Sequence, residues 1–298
     1  MDERASLVVY RQILCCVKVC LWAFFALGVS ANVSAKEKLR VAVAANFAAP
    51  LKAIAEEFTH STDVDVVITV SSSGTLFAQI MHGAAFDVFL SADTARVKAL
   101  IEAGRVSTSD VEPYAVGQLA FVSRSAPITV KELLSRNNDV LSLNSYKLAI
   151  ANPKLAPYGE AAKEVLEGHA RWNNMRQHIV MGKNVLQTYQ FYRTGNVDSA
   201  FVAYSLVKDE PNVDIVSPRL YSPIVQSLAI LIAPATAQDT HFSQDTHFAE
   251  DTHKKLDSQA RQRQLAEYFV NYLLSKKVQQ KIEGWGYKPV SSLSASKE

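Results

Sequence analysis

From residue 38 onward, apolar residues follow two alternating rhythms. Short continuous runs such as Leu39–Ala45 (LRVAVAA) and Val64–Val70 (VDVVITV) suit buried strands. Between them, Phe47–Phe58 repeats apolar residues at helical spacing through Leu51, Ile54, Ala55 and Phe58. The same reading predicts a helix from about Thr75 to His82, a strand at Asp87–Leu90, a helix around Thr94–Ala103 and one long strand, Tyr114–Ser123. A second series then begins: helix Val130–Leu134, strand Lys147–Ala151, a helix near Gly159–Leu166, strand His178–Met181, helix Val185–Arg193 and strand Ala200–Tyr204. The chain returns through a strand at Val225–Ile232 and closes with helices near Asp257–Leu274 and Lys276–Glu283. Repeated strand–helix–strand patterning places the chain in the α/β class. It predicts two lobes, 36–117 with 223–298 and 118–222, joined by two strands that cross between them.

Residues 1–35 break this rhythm. Arg4, Arg11 and Lys18 precede an apolar run, Val19–Val29, and the small residues of Val33-Ser34-Ala35 suit a signal peptidase. We read the segment as a secretory signal cleaved near Ala35, which puts the mature protein in the periplasm. A retained anchor is the alternative, but the run is about half of the roughly 20 residues that a spanning helix needs. All three cysteines, Cys15, Cys16 and Cys20, fall in this segment. A mature chain beginning after Ala35 therefore has no thiol, which excludes a disulfide partner, cysteine–zinc sites and a cysteine nucleophile.

Composition narrows the classes further. With 48% hydrophobic and 20% charged residues, 298 in all, the chain is globular. Its 31 Lys+Arg against 29 Asp+Glu leave no basic footprint for nucleic acid. No apolar stretch after residue 35 is long enough to span a bilayer. Low complexity is confined to Gln238–Lys255, where QDTHFS, QDTHFA and EDTHKK follow one another and carry His241, His247 and His253. Such imidazoles and carboxylates can converge on a metal cation. We read 238–255 as a solvated loop with no cation site, because a period of six spreads the histidines around a helix instead of aligning them on one face.

The chain lacks G-x-S-x-G, H-E-x-x-H, G-x-x-x-x-G-K-[ST] and G-x-G-x-x-G, the usual hydrolase, zinc-protease and nucleotide signatures. Four strand-to-helix junctions instead carry small or amide residues: Ala45-Asn46-Phe47, Ser72-Ser73-Gly74-Thr75, Pro157-Tyr158-Gly159 and Lys183-Asn184-Val185. First-turn N–H groups point outward at such junctions and the helix dipole adds positive potential, so they bind anions. Ser73 and Asn46 can add side-chain hydrogen bonds, and Gly74 permits close approach. Each junction taken singly also reads as an ordinary helix N-cap. An esterase built on Ser72 or Ser73 is a further alternative, without a recognisable His/acid partner.

At these residues the sequence resembles the periplasmic molybdate-binding proteins that feed ABC transporters. The resemblance is carried by VAVAANF, SSSGTLFAQI followed by DVFLSAD, ANPKLAPYGEAA and the returning YSPIVQS, and it covers the mature chain outside the histidine repeat. It implies a two-lobed type II periplasmic-binding-protein fold with a mixed sheet in each lobe, a monomeric binding protein and not an enzyme, and no cofactor. Its ligand would be molybdate or tungstate, held by neutral donors and delivered to an ABC permease in the inner membrane. Carried over by position, the first anion loop falls on Ala45 and Asn46, the second on Ser72 and Ser73. In the other lobe Tyr158 and Val185 match, with Asn184 beside them. One match fails: some members place a ligand tyrosine where this chain has Ala203, and Tyr204 follows one residue later. Tyr158 is therefore expected to supply the phenolic donor and Tyr204 to pack. The loop tips also lack Asp and Glu, which disfavours phosphate, an anion that keeps a proton near neutral pH and calls for an acceptor. Another oxyanion such as sulfate stays open as the alternative.

Overall fold

The computed structural model describes residues 36–124, 128–135, 145–232 and 246–295. The segment 1–35, expected to be a secretory signal, lies outside the described residues. The first lobe is laid down as β1 (Lys38–Ala44), α1 (Ala48–Thr62), β2 (Asp65–Ser71), α2 (Ser73–Met81), β3 (Val88–Ser91), α3 (Ala95–Glu102) and β4 (Val111–Gly117). The second comprises β5 (Leu119–Ser123), α4 (Val130–Leu134), β6 (Leu148–Ala151), α5 (Pro157–Gly168), β7 (Ile179–Gly182), α6 (Val185–Arg193), β8 (Ser199–Ala203) and β9 (Val213–Ile215). The chain then re-enters the first sheet as β10 (Ile224–Ile230) and continues through α7 (Thr246–Leu274), α8 (Lys276–Gly284) and a last short helix, Ser292–Ala295.

Both sheets are mixed and built alike. Strand order is β2-β1-β3-β10-β4 in one and β7-β6-β8-β5-β9 in the other. In each, three parallel strands are followed by an antiparallel one, β10 or β5, which is the strand entered directly after a crossing between sheets. Strands covered on both faces read as continuous apolar runs. Accordingly, Val41 and Val43 of β1 face α1 and α7 through Leu51, Ile54, Phe58 and Phe269, while Ala42 faces α2 and α3 through Leu76 and Leu100. The buried carboxylate of Asp87 is paired with Arg40 at 2.8 Å and accepts from Gln262 of α7 at 2.9 Å, which ties the last long helix to the sheet.

Register determines where the two lobes meet. Ser227 of β10 lies opposite Ser91 at the end of β3, and Gly117 at the end of β4 lies opposite Ile224. In the second sheet, Leu119 at the start of β5 lies opposite Ala203 at the end of β8. Both crossings therefore sit at the carboxyl ends of the parallel strands, so these ends of the two sheets face one another. Strand-to-helix turns at such an edge are where open α/β sheets bind ligands.

Two expectations are corrected and one strand is added. Tyr114–Ser123 is two strands in different sheets, broken at Gln118, because the chain changes lobe there. β9 escaped notice because Val213-Asp214-Ile215 is too short to establish a period. The histidine repeat is not a loop throughout: its second half, from Thr246, already belongs to α7, whose helical pattern the repeat masks.

The approach of α5 to the sheet gives a stability prediction. A Cβ on Gly159 would lie 2.1 Å from the carbonyl oxygen of Ala151, a backbone atom that cannot yield easily. Gly159→Ala is expected to cost about 1–3 kcal/mol by overpacking, lowering the melting temperature by about 2–4 °C per kcal/mol. An unchanged thermal unfolding curve would contradict this.

Candidate functional site

The facing edges enclose a small cavity. Ala44, Ala45, Asn46, Ser72, Ser73 and Ala92 line it from the first lobe, and Ala156, Pro157, Tyr158, Asn184 and Val185 from the second. None of these side chains is charged. The free space is about 10 Å³, near the least that admits one water and too little for a larger guest in this conformation. A roomier depression of about 270 Å³, beside Asp110 and Ile230, lies at the opposite edge of the first sheet. Its carboxylate is already paired with Arg263 at 2.6 Å.

Each wall is a strand end running into a helix start. After β1, Ala45–Phe47 forms one turn of 3-10 helix that leads into α1, leaving first-turn N–H groups without intrahelical partners. Ser72 is the extended N-cap of α2 and accepts from the Thr75 N–H at 3.2 Å. The Ser73 hydroxyl accepts from the Ala92 N–H at 2.9 Å, so its own proton remains available. In the second lobe Pro157 opens α5 without an N–H, which makes the Tyr158 N–H the first of that helix to face outward. Asn184 caps α6 by accepting from the Gln187 N–H at 2.9 Å, leaving the Val185 N–H at the helix start. Thus Ser72 and Asn184 act as N-caps, and the same caps aim neighbouring donors into the cavity.

The structure alters the role of Asn46. The Asn46 side chain does not point its amide protons into free space: Nδ2 donates to Gln226 Oε1 at 2.8 Å and to the Tyr287 hydroxyl at 3.0 Å. Its amide protons are thus committed away from the cavity, and the donor it can still offer there is its backbone N–H. Tyr158 is fully buried, and its hydroxyl oxygen accepts from Gln226 Nε2 at a long 3.4 Å, which leaves the phenolic proton to be donated. Burial, with Tyr287, Tyr221 and Tyr114 nearby, pushes the Tyr158 hydroxyl well above the usual phenol range. Burial likewise raises Tyr287 to about 12. Tyr204 is not part of the cavity wall; its ring lies against Gly286, where a Cβ would come within 2.8 Å.

Sequence reasoning missed the polar cluster behind the cavity, formed by Gln226, Tyr114, Tyr287 and Ser205. Tyr114 donates to Gln226 Oε1 at 3.0 Å, and Ser205 donates to the Asn46 carbonyl at 3.2 Å. Gln226 stood in the YSPIVQS motif, but nothing local singles out Tyr287. Direct ties also cross the cleft: the Gly74 N–H donates to the Leu155 carbonyl at 2.8 Å, and Arg96 reaches the Lys154 carbonyl at 3.1 Å. Asp93, just before α3, accepts from the Arg96 N–H at 2.9 Å and pairs with the same residue's guanidinium. It holds a cleft-spanning arginine and does not line the cavity. Among the described residues no group of three or more His, Cys, Asp or Glu could hold a metal ion. His241 and the side chains of His247 and His253 lie outside the described residues.

The sequence matches the family of bacterial extracellular solute-binding proteins over residues 39–242. It is 40% identical over 192 residues to the molybdate-binding protein ModA of Rhodobacter capsulatus, spanning 64% of this chain and 74% of that one. It is 37% identical over 210 residues to ModA of Azotobacter vinelandii, spanning 68% and 81%. The solved periplasmic molybdate-binding protein of A. vinelandii superposes with a TM-score of 0.66 at 28% identity, covering 84% of this chain and 98% of the other. The fold is thus the two-lobed α/β periplasmic-binding-protein type, and the role is that of a substrate-binding transport protein and not of an enzyme. The chain belongs to the bacterial extracellular solute-binding proteins, among the ModA-type substrate-binding proteins of ABC transporters.

Proposed function

We propose that the cleft captures molybdate or tungstate in the periplasm, after cleavage near Ala35, and that the monomeric protein delivers the anion to an ABC permease in the inner membrane. The observation that carries this reading is the convergence of four helix starts on one uncharged cavity. The ligand would be held by N–H groups of Ala45, Asn46, Ser73, Tyr158 and Val185 and by the hydroxyls of Ser73 and Tyr158. Ser72 and Asn184 act as the caps that orient those turns. All of these are donors. A fully ionised tetrahedral dianion accepts from each, whereas hydrogen phosphate would bring a proton to a wall with no carboxylate acceptor. Sulfate is the alternative of equal charge, and cavity size would discriminate against it. The names of the similar proteins support molybdate.

Calorimetric titration of the mature protein with molybdate, tungstate, sulfate and phosphate tests the reading directly. Strong heat is expected with the first two and little with phosphate; no heat with any of the four would sink the proposal. Ser73→Ala removes a charge-assisted hydrogen bond of about 1.5–3 kcal/mol and should weaken molybdate binding roughly 10–150-fold. Tyr158→Phe should weaken it while Tyr204→Phe leaves it unchanged, and the reverse pattern would exchange their roles.

A pH dependence follows from the phenol. Tyr158 donates only while protonated, and burial raises its folded-state pKa above that of an exposed phenol. The donor is therefore fully present below about pH 10 and is lost only as the pH climbs through the raised value. Since no side chain of the cavity wall titrates near neutrality, affinity for tungstate should be flat from pH 7 to about 9.5. A midpoint inside that window, measured by titration at several pH values, would contradict a wall of neutral donors.

A further inference from the structure

We propose that Gln226 is a positioning residue, one that fixes the direction in which the Tyr158 hydroxyl donates and couples that donor in the second lobe to the first anion loop. The proposal rests on the oxyanion reading above. Gln226 is fully buried at the start of β10, beside the register shift between Gln226 and Ser227 that breaks the pairing with β4. Such a bulge re-aims side chains, and here Gln226 points into the cluster between the lobes.

The two ends of its amide are not interchangeable. Oε1 accepts from Asn46 Nδ2 at 2.8 Å and from the Tyr114 hydroxyl at 3.0 Å. Reversing the amide would set an N–H group against the Asn46 amide donor, whereas the Tyr114 hydroxyl, also 3.4 Å from the Ser91 carbonyl, can donate or accept. With Oε1 so committed, Nε2 must face the Tyr158 oxygen, 3.4 Å away. A phenol has one proton. With an N–H aimed at its oxygen from the Gln226 side, that proton goes elsewhere, and Tyr158 is itself part of the cavity wall. The arrangement also depends on Gly117 at the first crossing. A Cβ there would lie 2.1 Å from the Tyr158 hydroxyl and 3.0 Å from Gln226 Nε2. One side chain thus holds the Asn46 loop with one atom and orients the Tyr158 donor with another.

Replacing the N–H donor by an acceptor should reverse this polarity. In Gln226→Glu a carboxylate would take the Tyr158 proton for itself and set a negative charge against an incoming dianion. The titratable groups facing position 226 are Tyr114 of β4, Tyr158 of α5 and Tyr287, all protonated near neutrality. The nearest carboxylate acting on this cluster, Asp93, is paired with Arg96. A pH response appearing in the variant and absent from the wild type therefore belongs to the introduced carboxyl group.

The test is calorimetry with molybdate on wild type, Gln226→Glu, Gln226→Met, Tyr158→Phe and the Gln226→Met/Tyr158→Phe double variant, with a melting curve for each. Gln226→Glu is expected to lose at least 100-fold in affinity at pH 8. Its binding should tighten at pH 6 and take up a proton, seen as a heat that depends on the ionisation enthalpy of the buffer, whereas the wild type shows neither effect. Gln226→Met should lose about tenfold alone, as for one neutral hydrogen bond, and clearly less in the Tyr158→Phe background, where only its hold on the Asn46 loop remains to be lost. If Gln226→Glu fails to fold, the Met/Phe cycle decides. Losses that multiply in the double variant, or a Gln226→Glu protein binding within threefold of wild type at pH 8, would overturn the proposal while leaving the oxyanion reading intact. Absence of binding by the wild type would overturn that reading, and this proposal with it.

Discussion

A helix that starts at the end of a parallel strand leaves its first N–H groups without partners, and the organisation of this protein follows from where those groups are sent. Because β10 and β5 enter their sheets antiparallel at the carboxyl ends of the parallel strands, both crossings lie on the edges that carry the helix starts. The lobes are thereby joined next to their unpaired donors. Four helix starts surround one cavity, two from each lobe. Local capping supports this arrangement. Ser72 and Asn184 satisfy the N–H groups of Thr75 and Gln187, three residues on, and leave nearer ones exposed to the cavity.

The cavity has no charged side chain, and this suits its proposed guest. An unpaired arginine or lysine in so small a closed space would carry a large desolvation cost whenever the site stood empty. Dipoles of N–H and O–H groups can be held in place at less cost, provided that they stay protonated. Burial secures this for the phenols by raising Tyr158, Tyr114 and Tyr287 above the ordinary tyrosine range. Charge appears one layer out, where Arg96 is held by Asp93 and reaches across the cleft to Lys154. The charged contact across the cleft is thus made by residues outside the uncharged wall of the proposed site.

Behind the cavity, the crossing at Gly117 brings together groups from distant parts of the chain. Gln226 meets Asn46 and Tyr114 on one side and Tyr158 on the other, and Tyr287 closes the cluster with hydroxyl contacts to Asn46 and Ser205. These are buried polar groups that satisfy one another, the condition under which such a network adds definition to a fold instead of weakening it. A side chain at position 117 would occupy the space in which Tyr158 meets Gln226. The linkage between lobes thus depends on a missing Cβ as much as on the hydrogen bonds.

The strands and helices were legible in the sequence because burial on both faces and on one face leaves different periods, as in Val41-Ala42-Val43 and in Leu51, Ile54 and Phe58. The junctions were legible too, since small residues, serines and amides before an apolar helical run have few other uses. Local pattern could not tell that Tyr114–Ser123 belongs to two sheets, because both halves are equally apolar and the change of lobe needs only one residue, Gln118. Nor could it reveal that Asn46 spends its side chain on Gln226 and Tyr287, 180 and 241 residues away. Sequence by itself determined which segments are strands, which are helices and where unpaired backbone donors arise, all consequences of short-range period and capping. Tertiary structure alone decided which donors share a cavity and which polar side chains are used up behind it, because hydrogen-bond partners far apart in the chain leave no periodic trace.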